Sequence, residues 1–381
     1  MKSTLYGPDH EAFRATAREF LNREVVPHYL DWDEAKIVPR GIFHRLGELG
    51  VLGVQIPEEY GGGGQDSFLF SAVWMEETQR AYVNLGGLAV HMNVVLPYFL
   101  SYANEEQRRR WLPGMASGEL MTAIAMTEPG TGSDLAGIAT TARLDGEHWV
   151  LNGVKTFITG GIHADLIVVV ARTGQGGGRR DGLSLLVVEK EMAGFTRGRN
   201  LDKVGLRTQD TAELFFDDVR VPVANLLGEE GGAFGYLTGN LPQERLGIAV
   251  AAQGAAEAAL AAALEYVANR KAFGVPVASF QNTKFELASC AVEIEAGRAL
   301  LDRGLAEHEA GELSPVDAAK IKIFCTEMQS RVVDRCLQLH GGYGYMREYP
   351  IARLYADARV TRIYGGTTEV LKTIIAKSFG L

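Results

Sequence analysis

Cysteine is scarce in this chain of 381 residues, which contains only Cys290, Cys325 and Cys336. Their number is odd and no two of them form a C-x-x-C pair, so the sequence offers neither a disulfide framework nor a zinc ligand set. We expect three reduced thiols carried on helices and no bound metal. Reduced thiols indicate a reducing compartment, and the expected location is cytoplasmic.

Long apolar runs are also absent. No stretch of about 18 apolar residues occurs, so no membrane span is predicted. The first residues, MKSTLYGPDHEAFRATAREF, contain no apolar core of a signal peptide, and Asp9 and Glu11 do not suit an organelle transit helix.

The chain has fewer basic than acidic residues. It contains 38 lysines and arginines and 47 aspartates and glutamates, which gives a formal net charge of −9. The basic run Arg108–Arg110 is too short to follow a phosphate backbone, so nucleic acid is not an expected partner. A hydrophobic content of 46% and a charged content of 22% are typical of a globular protein. The length predicts two or three domains.

Three zones of different periodicity divide the chain. Residues 1–120 carry apolar residues at helical spacing, as in EAFRATAREFLNREVV. Residues 121–230 read as short strands, with the hairpin-type dipeptides Asp145-Gly146 and Asn152-Gly153. Residues 231–381 return to long, alanine-rich helices. We therefore predict a mainly α member of the α+β class, with an N-terminal helical domain, a middle antiparallel β-barrel or sandwich, and a C-terminal helical bundle.

A glycine-rich loop, AMTEPGTGSDLAG, connects a strand-like run at the start of the second zone to the predicted barrel. Its free backbone N–H groups and its hydroxyls could hold a heteroaromatic edge or a phosphate, although on composition alone an ordinary connector is the favoured reading. Neither this loop nor GGYGYM has the third glycine and the following acidic residue of a dinucleotide fingerprint, and no GxxxxGK[ST] motif occurs. A nucleotide cofactor would therefore be held in a non-Rossmann way.

Six motifs follow one another along nearly the whole chain: GELGVLGVQIPEEYGG, MTEPGTGSDLAG, NGVKTFITGG, RKAFGVPVASFQ, QLHGGYGYMREYPIARLYADAR and IYGGTTEV. In order and approximate spacing they resemble the acyl-CoA dehydrogenase family. The resemblance implies an N-terminal helical domain, a middle β-barrel, a C-terminal four-helix bundle, bound FAD and usually a homotetramer. It also implies dehydrogenation of an acyl-CoA to a trans-2-enoyl-CoA, with an electron-transfer flavoprotein as the electron acceptor.

The same resemblance implies the cofactor site. The turn after the first strand would bind the pyrimidine side of the flavin, the aromatic ring of the tripeptide FIT would cover it, and the threonine of that tripeptide would approach N5. The family often has tryptophan where Phe157 stands and a smaller residue where Thr131 stands. Residues from RKAFGVPVASFQ and QLHGG would meet the adenosine diphosphate half across a subunit interface, where an arginine can grip a pyrophosphate. The implied set is Ile124, Met126, Thr127, Gly132, Ser133, Phe157, Ile158, Thr159, Arg270, Phe273, Gln281, Gln338, Leu339, His340, Gly341, Gly342, Thr367 and Glu369.

The catalytic base is implied by an exchange between two motifs. Most of the family has a glutamate at the position of Gly365, whereas the long-chain and isovaleryl branches place it on the helix of LPQERL. This chain combines LPQERL with YGGT, as the long-chain branch does, so the resemblance implies that Glu244 removes the α-proton while a hydride leaves the β-carbon for flavin N5. The alternative is a helix-start carboxylate that merely suits the helix dipole. Weaker rivals for the base are Glu128, Glu348 and Glu369.

Four residues are implied to contact the substrate. Ser133 would lie near the CoA moiety, Arg245 would orient CoA, the N–H of Gly365 would donate to the thioester carbonyl, and Gly366 would lie against the thioester. The base position favours a long or branched acyl chain. A flavin oxidase or monooxygenase of the same superfamily and a non-catalytic helical scaffold remain as alternatives.

Overall fold

The computed structural model describes residues 4–174 and 181–381. Helices make up most of these residues, and the bounds of the α-helices are α1 (Pro8–Phe20), α2 (Tyr29–Ala35), α3 (Gly41–Glu48), α4 (Leu69–Arg80), α5 (Leu88–Val90), α6 (Leu96–Tyr102), α7 (Glu105–Ser117), α8 (Ala233–Asn269), α9 (Gln281–Glu309), α10 (Pro315–His340), α11 (Pro350–Ala358) and α12 (Thr368–Ser378). The strands are β1 (Thr122–Ala125), β2 (Thr141–Asp145), β3 (His148–Thr159), β4 (Leu166–Arg172), β5 (Leu183–Glu189), β6 (Phe195–Arg197), β7 (Thr211–Pro222), β8 (Leu226–Leu227), β9 (Lys271–Ala272) and β10 (Val275–Pro276). The predicted mainly helical class is confirmed.

The middle of the chain forms one mixed sheet with the strand order β6-β7-β3-β2-β4-β5-β8, and β1 lies beside β4. The predicted barrel is not confirmed, because the two end strands, β6 and β8, do not pair with each other among the described residues. The prediction of a purely antiparallel sheet is wrong, since β4 runs parallel to β1 and, at one residue pair, to β2. The hairpin β2–β3 and a further connection separate β1 from β4 in sequence, which leaves room for the crossover that parallel pairing needs.

The two hairpin signals have different outcomes. Asp145-Gly146 contributes to the tight turn between β2 and β3, as predicted. Asn152-Gly153 lies inside β3, where the register with β7 shifts, so its prediction as a turn is wrong. A side chain at position 153 would overlap with Thr140, which explains glycine in a strand at this point.

The C-terminal region packs α8, α9 and α10 against one another, with α11 and α12 on α10. α8 is long and apolar enough to cross a membrane by length and composition, but 67% of that stretch is buried, and the helix packs on α4 and α10. It is therefore a core helix of the bundle. All three cysteines are buried, free and carried on α9 and α10, which agrees with the prediction of thiols in helices.

A partly buried ionic cluster holds the N-terminal helices on the bundle. The carboxylate of Glu76 on α4 accepts from Arg14 of α1 at 2.8 Å and from Arg298 of α9 at 2.7 Å. Tyr6 donates to the same carboxylate at 2.9 Å. These contacts fix α4 against the bundle and so fix the neighbouring face of α8, which carries the predicted base.

Candidate functional site

The predicted flavin loop is anchored by a buried ion pair. Lys155, on β3, is fully buried and donates to the carboxylate of Glu128 at 2.8 Å and to the carbonyl of Met126 at 3.1 Å. Glu128 also accepts from the backbone N–H groups of Ala139 and Thr140. Burial alone would raise the pKa of Glu128, but Lys155 and these N–H donors hold it below its usual value. Glu128 is thus committed to the loop.

Lys155→Met should loosen this loop. The substitution leaves the Glu128 carboxylate buried without its cation, a change that costs about 3 to 5 kcal/mol when buried pairs are broken. We expect a lower melting temperature and weaker FAD retention, measured by thermal unfolding and by the flavin absorbance of the purified protein.

A matched control is Lys190→Met, because Lys190 pairs with Asp165 at 3.0 Å but is half exposed, and the buried Asp165 keeps its second partner Arg40. The double variant Lys155→Met/Glu128→Gln should recover part of the stability. If the Lys155 and Lys190 variants had the same melting temperature and the same FAD content, Lys155 would not be the anchor of the flavin loop.

Phe157 lies at an irregularity of β3, where the register with β7 shifts between Lys155 and Ile158. Its φ of +58° is in the left-handed region, which is uncommon for a residue with a side chain, and 69% of the side chain is exposed. Such strain at a bulge marks functional sites, where the bulge re-aims a side chain. Ile158 is buried in the core of the sheet, and Thr159 accepts from Gln209 at 3.0 Å.

Besides the contacts of Lys155, a hydrogen bond from the N–H of Thr156 to the carbonyl of Thr127, at 2.9 Å, holds the loop next to Phe157. The exposed ring beside a glycine-containing turn fits a flat heteroaromatic group such as a flavin. Ile124 is buried in β1, Met126 and Thr127 are half-buried, and Gly132 and Ser133 are exposed beyond the turn. The roles of these residues remain predictions.

The residues predicted to hold the adenosine half lie at one end of the bundle. Arg270 follows α8, is exposed, and places its guanidinium carbon 5.6 Å from the ring centroid of Tyr343. It forms no salt bridge within residues 4–174 and 181–381, so its donors are available. Phe273 combines a φ of +53° with 96% exposure, a second strained aromatic on the surface. Near these two lie Gln281, Gln338, Leu339, His340, Gly341 and Gly342, at the start of α9 and the end of α10.

The two histidines that could suggest acid–base chemistry have structural partners. His91 is fully buried against Thr122, with 2.9 Å between the ring Nδ1 and the hydroxyl, and burial lowers the pKa of His91 to about 4. His340 contacts the carbonyl of Cys336 at 2.7 Å and stacks on Tyr266. Burial lowers the pKa of His340 as well.

Glu244 lies in the interior of α8, which begins at Ala233 and continues through Pro242. The alternative of a helix-start carboxylate is therefore wrong, because the helix dipole acts within the first turn. The side chain is 8% exposed, and Tyr98 of α6 donates to its Oε1 at 3.3 Å. Burial raises the pKa of Glu244 to about 7, against smaller opposing effects of Tyr98 and Arg245.

The turn at residues 364–366 lies directly against α8. Arg245 is buried and its Nε donates to the carbonyl of Gly365 at 3.3 Å. A Cβ at position 365 would overlap with the Cδ1 of Ile248, which is one helical turn from Glu244 and on the same helix face. The helix face that carries Glu244 thus borders the turn that lacks the usual glutamate.

Lys322 of α10 closes the turn from the other side. It is 1% exposed, and its Nζ donates to the carbonyls of Tyr364 and Gly366, both at 2.6 Å. Burial, with a smaller contribution from Arg245, lowers the pKa of Lys322 to about 8. Gly365 and Gly366 have φ values of +63° and +94°, which only glycine adopts freely.

The remaining predicted positions flank this group. Thr367 caps α12, with its hydroxyl 3.3 Å from the N–H of Val370. Glu369 is exposed in the first turn of that helix, and Glu348 is exposed in the segment before α11. Neither exposed carboxylate has the desolvated setting of Glu244.

Sequence reasoning missed the partners that hold the site together, namely Tyr98, Ile248, Lys322, and the pair Lys155 and Glu128. For Lys322 a signal existed, because helical spacing places it on the face that also carries the buried Ala318, Cys325 and Gln329. Ile248 also had a signal, since it follows Glu244 by four residues. Tyr98 had none, because it is distant in sequence from Glu244.

Comparison with known proteins gives three profile matches, for the N-terminal, middle and C-terminal domains of acyl-CoA dehydrogenase, over residues 7–119, 123–219 and 231–380. The mitochondrial long-chain specific acyl-CoA dehydrogenase of Sus scrofa is 46% identical over 376 residues, which are 98% of this chain and 87% of that protein. An acyl-CoA dehydrogenase structure from Geobacillus kaustophilus is 50% identical, covers 100% of both chains and has a TM-score of 0.97. A glutaryl-CoA dehydrogenase from Mycobacterium smegmatis, solved in complex with FADH2, is 30% identical, covers 98% of this chain and 95% of its own, and has a TM-score of 0.90.

Profiles that span nearly the whole chain and full-length relatives at this identity agree with the six motifs and with the fold. They also agree on the chemistry, since the relatives named above are dehydrogenases of acyl-CoA thioesters. The chain is an FAD-dependent oxidoreductase that acts on the CH–CH bond of acyl-CoA, and it belongs to the acyl-CoA dehydrogenase family.

Proposed function

We propose that Glu244 is the base of this dehydrogenase and that its substrates are long-chain or branched acyl-CoA thioesters. The observation that carries the first part is the position of Glu244, buried on the face of α8 that borders the turn at Gly365. A carboxylate arriving from α8 can serve the same thioester that a side chain at position 365 would serve in most of the family.

The residues present fit the cofactor. Met126, Thr127, Phe157 and Thr159 would hold the flavin ring, and Arg270 with its neighbours would hold the diphosphate of a cofactor shared across a subunit interface. FAD, when bound, supplies an acceptor for the hydride that leaves the β-carbon of the substrate.

The chain's own contribution is proton removal and carbonyl polarisation. An α-proton beside a thioester is weakly acidic, so the carbonyl oxygen needs a hydrogen-bond donor as the proton leaves. The backbone N–H of Gly365 can provide that donor, because it does not depend on a side chain. Glu244 takes the proton, and a base whose pKa is near the working pH is the effective choice. Arg245 holds the carbonyl of Gly365 and would help to orient CoA.

The rate should depend on pH through Glu244. Burial raises the pKa of this base to about 7, and only the ionised form accepts a proton. We therefore expect kcat/KM to fall as the pH drops below about 7, roughly tenfold per unit at the acid limit, in assays between about pH 5.5 and 8.5 with an artificial electron acceptor.

The FAD content and the flavin spectrum should stay constant over the same range, which separates titration of the base from loss of cofactor. A kcat/KM that is level down to about pH 5.5 would contradict a desolvated Glu244 as the base.

The substrate class is supported by the pairing of LPQERL with YGGT and by the similarity to the pig long-chain specific enzyme. The stretch NLGGLAVHMNVV contains small residues, and we propose that the acyl chain lies along it. The test is a series of steady-state rates with acyl-CoA substrates of increasing chain length and with branched isomers. A clear optimum at butyryl-CoA would overturn this proposal.

We further propose an electron-transfer flavoprotein as the acceptor, a homotetramer and a cytoplasmic location. Exposed apolar side chains on α9, such as Phe285 and Val292, support association of subunits, and the free thiols suit a reducing compartment. Stopped-flow reoxidation of the reduced enzyme tests the acceptor, because rapid reaction with air would favour the oxidase alternative. Light scattering tests the oligomeric state.

A further inference from the structure

Two cationic side chains hold three consecutive carbonyls of the turn at residues 364–366. Lys322 donates to the first and the third, at 2.6 Å each, and Arg245 donates to the second at 3.3 Å. Lys322 forms no salt bridge within the described residues, and Arg245 is the cation that faces it. The hydrogen bonds of the Lys322 ammonium group thus go to backbone oxygens.

The geometry of the peptide bond transmits this contact to the site. The carbonyl of Tyr364 and the N–H of Gly365 belong to one planar trans unit, so the two groups point in opposite directions. Fixing the carbonyl on Lys322 therefore aims the N–H of Gly365 away from α10. In the part of the chain that the structure describes, this N–H donates to no acceptor, and it is free for a ligand.

We propose that Lys322 is a positioning residue that aims and polarises the N–H of Gly365 toward the thioester carbonyl. The proposal rests on the proposed function in placing the thioester at this turn. A cation on the carbonyl oxygen of a peptide makes the N–H of the same peptide a stronger donor, because hydrogen bonds in a chain polarise one another.

Lysine is suited to this task. Its ammonium group carries three donors on a flexible stem and can reach two carbonyls at once. Burying that charge beside Arg245 costs folding free energy, since no carboxylate within the described residues pairs with it. An apolar residue on the inner face of α10 would avoid this cost, so the lysine has a function in the turn that packing alone does not require.

The test uses the FAD-bound enzyme with trans-2-enoyl-CoA carrying ¹³C at the thioester carbonyl. Infrared difference spectra give the carbonyl stretch of the bound product relative to its value in water. We expect a shift to lower wavenumber in the parent enzyme and loss of most of that shift in Lys322→Met. kcat should fall about 10²-fold, as on removal of one oxyanion donor, with a smaller change in KM.

Lys320→Met is the matched control, since Lys320 lies on the same helix, is half exposed and pairs with Asp317. It should keep both the rate and the carbonyl shift. If Lys322→Met loses FAD, Lys322→Gln replaces it, because its neutral amide can donate but polarises less, and an intermediate shift is expected. A full carbonyl shift in a folded, FAD-bound Lys322 variant would overturn the proposal.

Glu244→Gln separates this inference from the proposed base. That variant should lose turnover and keep the carbonyl shift, because Lys322 and the turn are intact. Retained turnover would reject Glu244 as the base and leave the carbonyl experiment on Lys322 valid.

Discussion

Glu244→Gln should reduce the rate of dehydrogenation by about 10²-fold to 10⁴-fold, which is the range that a general base contributes. The variant should stay yellow and should still bind acyl-CoA. The amide keeps the size of the side chain and can still contact Tyr98, but it cannot accept the α-proton. Single-turnover reduction of the flavin by substrate measures the effect directly, and binding of the enoyl-CoA product shows that the site is intact.

Glu265→Gln is the control, because Glu265 is also on α8 but is exposed at its far end. Substantial turnover in Glu244→Gln would require another carboxylate as base. The exposed Glu369 would then be the next to replace, since Glu128 is committed to the flavin loop.

Glu244→Gln also tests whether burial raises the pKa of Glu244. The folded-state pKa of Glu244 is raised from 4.5 to about 7, so its contribution to stability is present below the unfolded value and is lost as the pH rises through about 7. Glutamine has no such ionisation. At pH 8 the variant should therefore unfold at a higher temperature than the parent, by an amount equivalent to at most about 3 kcal/mol, and the difference should shrink toward pH 5.

The sequence identifies what local pattern and motif spacing can encode. The change from helical to strand period and back is confirmed in outline, and so is the hairpin at Asp145-Gly146. The parallel pairing of β1 with β4 was not predictable from local pattern, because both are short apolar strands whose direction depends on the path between them. Closure of the sheet into a barrel likewise depends on whether its end strands pair, and local sequence pattern does not predict that pairing.

The candidate site also combines features that local sequence predicts with contacts that only the folded structure reveals. Glu244 in LPQERL and Gly365 in YGGT can both be read from the sequence, and the structure places the two elements that carry them side by side. Lys322 was missed because it resembles its exposed neighbour Lys320 in AAKIKIF, although helical spacing places only Lys322 on the face that carries the other buried residues of α10. Tyr98 reaches Glu244 from another helix, a contact that depends on the whole fold.

Gly365→Ala tests whether the turn has room for a side chain at position 365. The residue has a φ of +63°, where a side chain costs about 1 to 3 kcal/mol, and its Cβ would overlap with the Cδ1 of Ile248. Either the turn or Ile248 must move, and an oxyanion donor displaced by about 1 Å can cost about 10²-fold in rate. We expect a lower melting temperature and a kcat reduced by about that factor, with FAD retained.

Gly311→Ala separates strain from overlap, since Gly311 has a similar φ of +71° but open space around its Cβ position. It should lose stability and keep activity. Adding Ile248→Ala to Gly365→Ala should restore part of the rate, because the overlapping methyl group is gone while the left-handed backbone is unchanged. If the double variant were no faster than Gly365→Ala, backbone strain rather than Ile248 would restrict position 365. A glutamate at that position would then be excluded by the turn itself rather than by the helix that carries Glu244.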